Sequence, residues 1–96
     1  MPKANSQRAD QAEVTALKAL GFLASEPERL QRFMDLSGLS VEAIRAGAAD
    51  AAFLGGVLDH LLGDQTLLLL FAESEGLSPD LLQKLRTALP GAPDAI

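Results

Sequence analysis

Phe33-Met34-Asp35-Leu36-Ser37-Gly38-Leu39-Ser40 and Phe71-Ala72-Glu73-Ser74-Glu75-Gly76-Leu77-Ser78 stand 38 residues apart and share one layout, a phenylalanine followed five positions later by Gly-Leu-Ser. A glycine at the end of an apolar-periodic stretch supplies the left-handed residue that closes a helix. A serine two positions on offers its hydroxyl to the free amides that open the next. Each octet therefore predicts a helix, a tight turn and a second helix. Working outward at the same spacing pairs Leu20 with Leu58, Leu23 with Leu61, Leu30 with Leu68, Leu39 with Leu77 and Ile44 with Leu82. Either one helical unit is written twice, or capped amphipathic helices resemble one another of necessity; both readings stay open at this level.

The rest of the composition agrees with helix. The chain has 96 residues, 48% of them hydrophobic, with only 4% aromatic, all phenylalanine. Leucine and alanine favour helix, and the scarcity of β-branched and aromatic residues argues against strands. One domain of this length can bury a core of its own. The fold expected is all-α, a compact bundle of five or six short helices, with two related three-helix units as its organising possibility. Cysteine is absent, so neither a disulfide nor a thiolate metal site is expected to support it.

Residues 1–9 read as a mobile tail, 10–89 as the single helical domain and 90–96 as a flexible tail. Asp10 with Glu13, and Ser25 with Glu28, are spaced as capping boxes for the first two helices, with Pro27 in the first turn of the second. On a helical wheel Ala12, Ala16, Leu17, Ala19, Leu20 and Leu23 share the first helix's apolar face, with Thr15, Lys18 and Phe22 opposite. Leu30, Phe33, Met34 and Leu36 form the stripe of the second helix, and Val41 and Ile44 that of a short third helix capped by Ser40. Asp50 opens a fourth helix over 51–62. Asp64 is placed to cap a fifth, or else Gly63 bends one longer helix. Ser78 and Pro79 open a sixth, with Leu81, Leu82, Leu85 and Leu89 on one face.

Charge bounds the partners. The net charge is −5, and between Arg45 and Lys84 six acids stand without one lysine or arginine. Nucleic-acid affinity comes largely from basic groups on phosphate, so a nucleic-acid surface is disfavoured, and an anionic membrane for the same reason. The first residues lack the apolar run of a secretory signal, and a cytoplasmic protein is expected.

Residues with chemical potential reduce mostly to structure. His60 is the single histidine. With Asp64 four positions on it makes a surface pair, and zinc or iron would need more ligands than it can recruit. Asp59 and Asp64 diverge too far on a helix for paired acid–base work. The serines fall at caps and turns, and neither a nucleophile elbow nor a phosphate loop is present. No catalytic residue, metal or cofactor is assigned, and an enzyme is not expected. What remains is apolar side chains on otherwise polar faces. Phe22 and Leu69 point to contact with a protein partner or a second copy of the chain, with Gly55 and Gly56 as a flat helical face and His60 beside them. The alternative is a DNA-associated regulator using a helix-turn-helix-like segment at 33–47, where Arg45 is the only base on the third helix and Glu42 opposes it.

The blocks Ala16-Leu17-Lys18-Ala19-Leu20-Gly21-Phe22-Leu23-Ala24, Arg29-Leu30-Gln31-Arg32-Phe33, Gly38-Leu39-Ser40, Ile44-Arg45 and Phe53-Leu54-Gly55-Gly56-Val57-Leu58-Asp59 follow in an order that resembles a family of small alphaproteobacterial proteins forming a domain of unknown function. The resemblance spans about residues 12–89. It implies an all-helical cytosolic protein, brings no activity or cofactor with it, and marks Phe22 and Asp59 as candidates for family-specific roles.

Overall fold

In the computed structural model, which describes residues 3–91, six helices follow in order: α1 Lys3–Ala24, α2 Pro27–Ser37, α3 Val41–Gly47, α4 Ala51–Leu62, α5 Gln65–Glu75 and α6 Pro79–Thr87. No strand occurs among the described residues. The central pair is α1 against α4; α6 packs on both, α2 packs on α1, and α5 packs on α4 and α6. No single helix among these is long and apolar enough to cross a membrane.

Local chemistry explains most of the boundaries. Gly38 and Gly76 end α2 and α5 with φ of 74° and 68°, a conformation in which a side chain would be strained. Ser40 accepts the Ala43 amide and Ser78 the Leu81 amide, each at 3.1 Å. Asp50 accepts the Phe53 amide and Asp64 the Leu67 amide. The Asp64 cap separates α4 from α5, which meet at 110°, so Gly63 is not a bend within one long helix.

Three expectations are corrected. First, α1 begins at Lys3, not Asp10. Residues 3–9 contain no glycine or proline and include good helix formers such as Ala4, Gln7, Arg8 and Ala9, so nothing stops the helix there. Asp10 lies inside it and caps nothing. Residues 3–9 of the expected tail are thus helical, and residues 1–2 lie outside the described residues. Second, Ser25 serves the end of α1: its hydroxyl donates to the Phe22 carbonyl at 2.7 Å. Glu26 is the cap residue of α2, without a side-chain bond. Third, α1 buries Ala12, Thr15, Ala16, Ala19 and Leu23 while Leu17 is 45% exposed; the stripe is rotated from the expected one, with mostly small residues and Leu23 facing the neighbouring helices. Leu36 and Val41 are likewise exposed instead of buried. At the C-terminal end the Pro90 carbonyl accepts a bond from Arg86; residues 92–96 of the expected tail lie outside the described residues.

The two halves, α1–α3 and α4–α6, share one reciprocal contact at the 38-residue spacing. Phe22 of the first half meets Phe71 of the second edge-to-face, centroids 5.4 Å apart. His60 of the second meets Phe33 of the first edge-to-face at 5.0 Å. Positions 22 and 60, and 33 and 71, are the 38-residue counterparts of each other. The same pair of positions therefore meets twice, once from each half. Phe71, Leu23, Leu58, Leu61, Leu82, Leu85 and Val57 form the fully buried centre.

Candidate functional site

Two polar arrangements and one apolar groove stand out on this framework. The first arrangement is centred on Arg86 in the last turn of α6, which is 4% exposed. Its Nε and Nη2 donate to the two carboxylate oxygens of Asp59 at 2.6 and 3.0 Å. Its Nη1 donates to the carbonyls of Leu89 and Pro90, both at 3.1 Å. A guanidinium taken from water needs this degree of pairing. It also satisfies carbonyls left free where α6 ends. Gly55 makes room for it: a Cβ there would stand 2.8 Å from Nη1 and 2.9 Å from the Pro90 oxygen. The close neighbour that a glycine inside α4 implies is thus an arginine of the same chain.

The second arrangement is a cleft of 460 Å³ lined by Arg32, Leu36, Asp59, His60, Asp64 and Gln65 among others. His60 is half-buried against Phe33, and its Nε2 is buried without a hydrogen-bond partner. Burial holds its pKa below the ordinary value, Asp64 opposes that shift, and the Arg32 charge adds to it, so the neutral ring is favoured. The carboxylates around it already have structural duties. Asp59 holds Arg86, and Asp64 caps α5 and lies 3.9 Å from Arg32. No group of three or more His, Asp or Glu fit to hold a metal ion occurs among the described residues.

The groove lies between α1, α2 and α3, with a volume of 320 Å³. Leu17, Leu20, Leu30, Val41 and Ile44 line it, and Arg45 is the charged residue at its edge. Leu17 and Val41 are 45% and 47% exposed. Apolar side chains gathered in one concavity are the usual mark of a contact surface, whereas the same residues scattered singly would mean little.

The residues singled out in the sequence separate on this map. Leu69 is exposed on α5, as its position on the wheel requires, and Gly56 is exposed, with nothing within 4 Å of where a Cβ would stand. Phe22 is not an open contact residue: it is half-buried on Phe71, with the Arg29 guanidinium 4.4 Å above its ring. The reason is that α2 and α5 both reach across the face of α1 that seemed polar. Gly55 is buried under Arg86, so Gly55 and Gly56 do not form one accessible face. His60 is turned into the cleft rather than to solvent. Sequence reasoning missed Arg86; the only signal for it was a glycine four positions before an aspartate on an apolar helix. It also missed the groove, since Leu17 was assigned to the core.

The chain belongs to the family described as proteins of unknown function, DUF3572, whose family model matches residues 9–92. No curated protein and no solved structure matches it.

Proposed function

We propose that this chain is a protein-binding domain that acts by docking another protein and carries no catalytic activity of its own. The observation that carries the reading is the α1–α3 groove, where a stable fold leaves Leu17 and Val41 half in water beside Leu20, Leu30 and Ile44. The commitment of Asp59 and Asp64 to Arg86, Arg32 and the α5 amide supports a binding role over acid–base chemistry in the polar cleft. The alternative, DNA association through 33–47, would rest on Arg45 alone, with Glu42 one turn away on the same helix. A net charge of −5 weighs against it.

The test is affinity capture from native cell extract with the wild-type chain and with Leu17→Glu, alongside retention on DNA at moderate salt. A partner retained by the wild type and lost by the variant supports docking at the groove. Retention on DNA without any protein partner would overturn the reading.

A further inference from the structure

The second half of the molecule shows what closes the surface that the first half leaves open. On α4, Gly55 and Asp59 are the 38-residue counterparts of Leu17 and Gly21 on α1. They lie beneath the end of α6, where Arg86 sits on both. Leu85 and Leu89, on the same stretch, are buried. In the first half the corresponding positions are Gly47, Ala48 and Ala51. Helix α3 stops at Gly47, and the chain then turns away into α4. No leucine from this stretch covers α1, and the groove is the space left.

Resting on the protein-binding reading, we infer that the open α1–α3 groove, with Arg45 at its edge, receives an amphipathic helix of a partner protein that carries leucine-type side chains and a carboxylate. The apolar part of that specification follows from Leu17, Leu20, Val41 and Ile44, which offer no hydrogen-bonding side chain to the occupant. The helical part follows from the other half, where a helix end seals the counterpart surface. The carboxylate follows from Arg45, which makes no ion pair with another described residue and is the one charge on the groove. A groove of 320 Å³ is near the small end of binding cavities, which run about 300–1,000 Å³, so only a few side chains of the occupant enter it. A second copy of the chain is the less suitable occupant, because two molecules each at −5 repel at long range.

A displayed library of helix-biased peptides, panned on the full chain and counted again on Leu17→Glu and Arg45→Glu, tests this; both substitutions are at exposed positions, and thermal unfolding of each variant checks that it is folded. Peptides enriched on the wild type should pair leucine-like residues three or four apart with a flanking Asp or Glu. They should bind Leu17→Glu at least about tenfold more weakly, a loss typical of a buried anchor. Exchanging their acid for lysine should weaken them on the wild type and strengthen them on Arg45→Glu. Enriched peptides indifferent to Leu17→Glu would overturn the groove assignment while leaving a protein-binding role standing. Indifference to Arg45→Glu would overturn the carboxylate. Dimerisation of the free chain, abolished by Leu17→Glu in sedimentation equilibrium, would make the occupant a second copy and overturn the partner class. No enrichment at all overturns the inference, and if native-cell capture is also empty the protein-binding reading falls with it.

Discussion

Replacing the two adjacent glycines of α4 by alanine, one at a time, should move stability in opposite directions. At Gly56 an added Cβ meets nothing within 4 Å. The gain is then the helix-propensity difference, about 0.5–1 kcal/mol. At Gly55 the same methyl would arrive 2.8 Å from Arg86 Nη1, 3.0 Å from its Cζ and 2.9 Å from the Pro90 carbonyl oxygen. The guanidinium is tethered by bonds to Asp59, Leu89 and Pro90, and one of the obstructing atoms is backbone, so neither can yield freely. Breaking a buried charged pair costs about 3–5 kcal/mol. Because the Asp59 side chain is 43% exposed, water recovers part of that, and about 2–3 kcal/mol is a fitting allowance for the clash and loosened bonds. Set against the propensity gain, Gly55→Ala should be destabilised by about 1–2 kcal/mol, and the pair should differ by about 2–3 kcal/mol. Urea unfolding followed by circular dichroism, with a common slope, measures both midpoints. Equal midpoints for the two variants, or a Gly55→Ala more stable than wild type, would refute the account of Arg86 as a fixed obstacle.

Asp59→Asn removes the charge that faces Arg86 and should cost about 1–3 kcal/mol by the same unfolding measurement, with the Gly55→Ala effect much reduced in the double variant because the two act through one guanidinium. Phe22→Ala should lower stability by about 2 kcal/mol, roughly half the cost of a fully buried phenylalanine, and a variant that lost partner binding while unfolding normally would contradict its place on Phe71. For His60 the folded-state pKa is depressed, so the unfolded chain takes up the proton first as pH falls. Stability is then complete above the ordinary value of 6.5 and declines below it until the folded pKa is passed. Urea midpoints between pH 7.5 and 5 should show that decline, and His60→Phe should flatten it; an unchanged slope would mean that Asp64 offsets the combined lowering by burial and Arg32, leaving His60 without influence.

What could be read beforehand was whatever a few neighbouring residues decide. The caps at Ser40, Asp50, Asp64 and Ser78 and the left-handed glycines at 38 and 76 depend on atoms within one helical turn, and they appear where the spacing put them. Asp10 and Ser25 were misjudged on the same grammar. A capping box also needs a reason for the helix not to continue, and residues 3–9 provide none; Ser25 lies one residue before the cap position, which Glu26 occupies. The functional surface depended on which side of α1 would be covered. Alanines at 12, 16 and 19 let neighbours close in on the small-residue face, which turned Leu17 outward and brought Phe22 inward. A wheel that ranks residues by hydrophobicity alone points the other way. Arg86 and Asp59 are 27 residues apart in sequence, and no local pattern announces such a partnership.

The mirrored pair Phe22–Phe71 and His60–Phe33 has a further meaning for how the molecule comes apart. Each half lends a ring from its leading helix to the middle helix of the other, so neither is a self-sufficient subdomain. Loosening one ring strips cover from the opposite half, so unfolding is expected to be a single concerted event across the six helices, as is usual for small domains, with the reciprocal clasp opening as a whole.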